Sequence, residues 1–137
     1  MQTYPVKIRF NDLDGYNHVN NAVYLTYFEE ARINFIGNRV GVDWNWDEAG
    51  MLLARVEIDY LLPVLLANEV QIHISVCRIG SKSFDLKYLI EKREGDVWIA
   101  VTKGKSVQVC YNFKSAESIA IPESWMKNLK EELAPGN

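Results

Sequence analysis

A chain of 137 residues can bury one core but not two, and 48% hydrophobic with 24% charged residues is the profile of an ordinary folded soluble protein. The formal net charge of -3 provides no global field for nucleic acid or an anionic membrane, so any anionic ligand has to be caught by a local basic cluster. The two cysteines, Cys77 and Cys110, lie far apart in strand-like segments, which excludes a disulfide framework and a cysteine zinc site and predicts two free thiols.

The N-terminal stretch MQTYPVKIRF has no apolar signal core, and no run reaches membrane-spanning length. The expected setting is therefore the cytoplasm, without a membrane partner. No repeat, low-complexity tract or linker divides the chain, which reads as a single domain over residues 1–137.

From Val6 to Phe10 apolar and basic residues alternate, predicting a half-buried strand. Asn11 to Asn21 is rich in Asn, Asp and Gly, the chemistry of turns. A long helix follows over AVYLTYFEEARINFIGNRV, where Tyr24, Tyr27, Phe28, Phe35 and Ile36 recur at close to helical spacing with Ala31 between them. Asn20 or Asn21 can cap its start, and Gly37 or Gly41 can end it.

Strand patterns then dominate. Leu53 to Leu61 alternates Val56, Ile58 and Tyr60 against Glu57 and Asp59, and Glu69 to Ile79 alternates more cleanly, with His73 on the polar, exposed face. Phe84 to Ile90 and Trp98 to Tyr111 pair as a hairpin about the Gly95–Asp96 turn, and Pro122 to Leu133 forms a short terminal helix. The expected class is α+β, with one long helix on an antiparallel sheet of about five strands. One helix covers only one sheet face, so the other face or an edge is expected to meet a second subunit.

The chemistry concentrates between Arg9 and Arg32, RFNDLDGYNHVNNAVYLTYFEEAR, where two carboxylates, a histidine and four asparagines sit between a strand and a helix start. A loop there lets side chains converge on a ligand, and the helix N-terminus behind it offers unpaired N–H groups. That suits a reaction whose transition state places negative charge on a carbonyl oxygen.

The string DLDxxxHVNNxxYLxYFExAR from Asp12 to Arg32 resembles the active-site segment of hotdog-fold thioesterases, in the 4-hydroxybenzoyl-CoA and acyl-CoA thioesterase branch, and acyl-ACP thioesterases contain a similar DLD…HVNN stretch. The likeness continues through IDYLLP (Ile58 to Pro63), GSKSF (Gly80 to Phe84) and IPE (Ile121 to Glu123), nearly the whole chain. It implies a hotdog fold, the long helix wrapped by a curved sheet, in a homodimer or dimer of dimers whose sites borrow residues from both subunits.

The resemblance further implies hydrolysis of an acyl-CoA or acyl-ACP thioester without cofactor or metal. Its catalytic carboxylate falls on Asp14, as nucleophile or as the base that activates water. The backbone N–H that polarises the carbonyl falls near Asn21. The chain departs from many short-chain acyl-CoA members, which carry a Tyr-His pair where Asn20-Asn21 stand here; its histidine comes earlier, at His18.

Each candidate also has a plainer role. Asp14 before Gly15 can be a turn residue, and Asp12 reads as structural, pairing with Arg9 or bonding loop amides. His18 can orient the carbonyl or water, or merely bond the loop. Glu29 and Glu30 on the helix are alternative carboxylates, with Glu29 in reach of Arg32. Tyr24 is placed to line a substrate tunnel. Arg78, Lys82 and Lys87 surround the GSKSF turn as a solvated basic patch or as a grip for the phosphates of coenzyme A. Two rival functions share these residues: a hotdog hydratase or dehydratase using an Asp14–His18 couple, and a non-catalytic acyl-thioester-binding protein.

Overall fold

The computed structural model describes residues 1–133. Its elements are β1 (Gln2–Val6), a short 3-10 turn (Phe10–Asp12), α1 (Val23–Val40), β2 (Gly50–Tyr60), β3 (Val70–Ile79), β4 (Ser83–Glu94), β5 (Val97–Asn112), β6 (Glu117–Ser118) and α2 (Glu123–Glu131). The strands form one antiparallel sheet in the order β1-β3-β4-β5-β2, with β6 against β5.

Alternation along the strands sends one set of side chains under α1. Ile72, Ile74, Val76, Phe84, Leu86, Tyr88 and Ile90 are buried there against Tyr24, Tyr27, Phe28, Ala31, Phe35 and Ile36 of the helix. Phe28 stacks on Tyr88 with ring centroids 4.2 Å apart, over a glycine of β5, Gly104. A side chain at Gly104 would fall into the Phe28 ring, so this glycine sets how closely helix and sheet approach. Beneath the helix Arg32 donates to the Tyr88 hydroxyl, which bonds Ser106, and Gln108 also donates to Ser106. These buried polar groups satisfy one another.

The first strand differs from the expected Val6 to Phe10. Pairing with β3 ends at Val6↔Val70, after which the Arg9 amide donates to the Asp12 carboxylate and closes a turn. Ile8 still packs against the core, whereas Phe10 is 77% exposed. The alternation there marked side-chain contact rather than ladder pairing. At the helix start neither asparagine is the cap: the N-cap is Ala22, which has no side-chain cap bond. Asn20 instead closes the turn before the helix, its side-chain oxygen accepting from the Ala22 amide and its carbonyl from Val23. Gly41, with φ of 92°, ends the helix, and Gly37 lies within it.

The sheet has six strands rather than about five, because β6 adds a two-residue pairing too short and polar to signal itself. His73 is not simply exposed: its ring bonds the Thr3 hydroxyl and the Glu91 carboxylate, tying β1, β3 and β4 on the face away from α1. On that face Asp85, 3% exposed, pairs with Arg78 at 2.9 Å and Lys105 at 3.2 Å. Cys77 and Cys110 are both free, as expected. Several large apolar side chains stand exposed along β2 and beyond its end, among them Leu52, Leu53, Leu61, Leu62, Leu65 and Leu66.

Candidate active site

The loop between the 3-10 turn and α1 is held by its own backbone. Asp14 N–H donates to the His18 carbonyl, Asn17 N–H returns to the Asp14 carbonyl, and Asn17 takes φ of 65° to make the bend. Leu13 bridges Val19, and the Val19 amide reaches across to the Val64 carbonyl. The loop is thereby fastened to the segment that follows β2.

Within it the Asp14 side chain is fixed through one oxygen. Oδ1 accepts from the Tyr16 amide at 2.8 Å and the His18 amide at 3.3 Å. Oδ2 has no hydrogen-bond or ion-pair partner among the described residues. The contact to His18 runs through the His18 backbone, and the exposed imidazole has no partner among the described residues. An Asp14–imidazole couple of the hydratase kind is therefore not formed here.

Asp12 takes the structural role expected of it. Its Oδ2 accepts from the Arg9 amide at 3.0 Å and the Tyr27 hydroxyl at 2.7 Å, and its carbonyl accepts from Asn20 N–H at 2.8 Å. Burial, and then the bond to Asp12, push the Tyr27 phenol far above its ordinary value, so it stays a donor. Glu29 and Glu30 lie elsewhere: exposed on α1, they face Arg32 at 4.0 Å and Arg9 at 3.7 Å respectively.

Asp14, His18, Asn21 and Tyr24 come together around one open cavity of about 260 Å³, completed by Val19, Tyr60, Leu61, Leu62 and Pro63. At the helix start, Asn20, Ala22 and Val23 each give their N–H to an acceptor, whereas the Asn21 N–H has none among the described residues. Tyr24 is buried beneath the cavity, its phenol pushed up to about 12 by desolvation and then by Tyr60. The Tyr24 and Tyr60 rings meet edge to face at 5.4 Å. The residues around the cavity thus include a carboxylate with a free oxygen, a backbone N–H without an acceptor among the described residues and an apolar wall, the parts that acyl transfer requires.

Sequence reasoning did not single out Tyr60, Leu61 or Leu62 as site residues. The signal lay in IDYLLP, but its alternation marked Tyr60 only as a strand residue. That β2 ends beside the Asp14 loop is a fact of topology.

The basic residues lie apart from this cavity. Arg78 and Lys87 line a second, larger cleft of about 490 Å³ on the outer sheet face with Glu57, Asp59, Lys103 and Lys105, and Lys82 sits in the adjoining turn outside its lining. Arg78 is engaged with Asp85 and the Ser83 hydroxyl. Tyr60 pairs with Thr102 and Thr102 with Ile90, whereas the GSKSF turn opens β4 at Ser83. The seven residue steps from Ser83 to Ile90 separate the two places by about 23 Å at the usual strand rise.

A family model described as the thioesterase-like superfamily matches residues 8–129. The chain is 29% identical over 133 residues to the long-chain acyl-CoA thioesterase FadM of Escherichia coli K12, covering 96% of this chain and 98% of that protein. A thioesterase from Thermus thermophilus, crystallised with coenzyme A and zinc, is 32% identical, with a TM-score of 0.79 and coverage of 93% of this chain and 96% of that one. The PA5185 protein of Pseudomonas aeruginosa PAO1 superimposes with a TM-score of 0.88 at 25% identity, over 100% of this chain and 94% of that one.

Proposed function

Because the chain belongs to the thioesterase-like superfamily and is a thioester hydrolase, we propose that it hydrolyses acyl thioesters of coenzyme A, with Asp14 as the reacting carboxylate. The observation that carries this reading is the shared cavity, lined both by Asp14, whose Oδ2 has no partner among the described residues, and by Asn21, whose N–H has no acceptor among them. The coenzyme A assignment is supported by the acyl-CoA thioesterase of E. coli and by the coenzyme A-bound Thermus structure.

In the proposed reaction the thioester carbonyl oxygen accepts a hydrogen bond from Asn21 N–H, which stabilises the negative charge that develops there. Asp14 then attacks the carbonyl carbon, or takes a proton from a water that attacks it. The tetrahedral intermediate collapses by breaking the C–S bond, and the thiolate leaves to be protonated. If Asp14 is the nucleophile, a mixed anhydride results, and water cleaves it to restore the carboxylate. A thioester is an activated acyl group, so one carboxylate with a polarised carbonyl suffices.

Tyr24 and the Leu61–Leu62 wall contact the acyl part, and His18 stands exposed at the cavity mouth, able to orient water. The GSKSF turn, with Arg78 and Lys82, does not line the Asp14 cavity of its own chain. We assign it to the site of a second copy, in a homodimer or dimer of dimers joined through the exposed leucines at the β2 edge.

The test is thiol release from short to long saturated acyl-CoA, with acyl-ACP and enoyl-CoA as comparison substrates. Asp14→Asn retains an amide oxygen to accept from Tyr16 and His18, so the loop stays folded while turnover falls by ~100-fold or more. Retention of more than about half the activity would remove Asp14 from the chemistry and return the role to Glu29 or Glu30.

A further inference from the structure

The Asn21 N–H is useful only if it points steadily at the carbonyl oxygen. The N–H itself lies in the Asn20–Asn21 peptide plane, and the Asn21 carbonyl lies in the Asn21–Ala22 plane, which joins the first at the Asn21 Cα. The first, Asn20–Asn21, is held by the Asn20 carbonyl, which accepts from Val23 N–H at 2.9 Å. The second, Asn21–Ala22, is held in part by the Ala22 amide, which donates to Asn20 Oδ1 at 3.0 Å. Both bonds are local and would travel with the segment if it rocked. The Asn21 carbonyl, however, accepts from the Tyr60 hydroxyl at 2.7 Å, and Tyr60 is the last residue of β2. Among the described residues, that bond ties Asn21 to the sheet.

Tyr60 is equipped for this. Its ring is braced edge to face by the buried Tyr24, which meets Tyr27 at 5.8 Å, and Tyr27 donates to Asp12. Asp12 in turn accepts the Asn20 amide through its carbonyl. The braces thus run from β2 through three tyrosines and back to the residue before Asn21. Burial raises the Tyr60 phenol above its ordinary value, so the hydroxyl remains a donor through the pH range of an assay.

We propose that Tyr60 is a positioning residue for thioester hydrolysis, its hydroxyl holding the Asn21 carbonyl so that the Asn21 N–H is presented to the substrate carbonyl oxygen. This rests on the reading of Asn21 as the polarising donor. Since the Tyr60 hydrogen is spent on Asn21, the substrate gains no hydrogen bond from it. Loss of the hydroxyl should therefore act on turnover more than on binding.

Tyr60→Phe keeps the ring against Tyr24 and removes only the hydroxyl. The expected result is a fall in kcat of about tenfold, the scale of one hydrogen bond, with KM changed less than about twofold. The carbonyl is then observed directly. An acyl-CoA labelled with carbon-13 at its carbonyl is bound to the Asp14→Asn protein, and its vibrational frequency is recorded with and without Tyr60→Phe. The Asp14→Asn complex should show the carbonyl stretch lowered from its value in solution, and adding Tyr60→Phe should return most of that shift.

A shift that survives Tyr60→Phe, or a KM that rises as much as kcat falls, overturns the positioning role while leaving Asn21 as donor. No shift in Asp14→Asn alone overturns both, because nothing then polarises the carbonyl.

Discussion

Gly104→Ala probes how α1 is seated over the sheet, and so where the site's helix start lies. A Cβ at this position would lie 2.3 Å and 2.5 Å from two ring carbons of Phe28 and 3.0 Å from the Glu57 carbonyl oxygen. Ordinary contact needs about 3.4 Å or more, so the ring has to retreat by about 1 Å. It has nowhere to go, since Phe28 is 1% exposed and lies 4.2 Å from Tyr88 in a parallel stack. Overpacking of this kind costs ~1–3 kcal/mol. The backbone φ is not in the left-handed region, so alanine also gains ~0.4–1 kcal/mol from the less flexible unfolded chain. The net expectation is a loss of ~1–2 kcal/mol, a drop in Tm of roughly 4–8 °C for a domain of this size.

Urea titration of the Gly104→Ala protein measures the loss, and the double variant Gly104→Ala with Phe28→Leu identifies its source. Trimming the ring alone is destabilising, but in the double variant the two changes should be less than additive by ~1 kcal/mol or more, because the leucine vacates the space the new methyl needs. A stabilised Gly104→Ala protein, or strict additivity, would show that helix and sheet are not in the contact described.

Two further outcomes are expected. Burial alone would raise the Asp85 carboxyl, but Arg78 and Lys105 outweigh it and hold it below the usual carboxylate range. The unfolded chain then takes up protons first as the pH falls below about 4, so the stability from this cluster is present above that pH and is lost as the pH drops through the folded value. Asp85→Asn should lower the urea midpoint near neutrality, and its deficit relative to wild type should close in acid; an equal deficit at both pH values would contradict the pairing. If Arg78 and Lys82 grip coenzyme A phosphates from a second copy, changing both to alanine should raise KM for acyl-CoA, with a much smaller effect on pantetheine thioesters that lack the nucleotide. Equal losses on both substrates would mean the turn acts on folding, and here the Arg78–Asp85 pair makes stability measurements a necessary companion.

Periodicity alone placed α1 to within a residue, because Tyr24, Tyr27, Phe28, Phe35 and Ile36 repeat at the helical interval and all of them are buried. The β4–β5 hairpin was equally legible, since Gly95, with φ of 62°, sits where the turn needs a residue without a side chain. Those signals are local: spacing along a helix or across a turn is a property of neighbouring residues. The likeness of Asp12 to Arg32 to a thioesterase segment singled out the Asp14 loop for the same reason, as its chemistry lies in one contiguous string.

Tyr60 and Lys82 lay beyond that reach. Whether a strand residue such as Tyr60 closes a cavity, or a turn lysine such as Lys82 stands a sheet's length away, depends on strand order and register. Only the pairing of β2 with β5 and of β5 with β4 decided it. The same holds for His73, whose polar-face position predicted exposure until Thr3 and Glu91, distant in sequence, were brought to either side of its ring. Hydrophobic patterning tells a residue which face it occupies, whereas its partners are set by the long-range ladder, which no local propensity encodes.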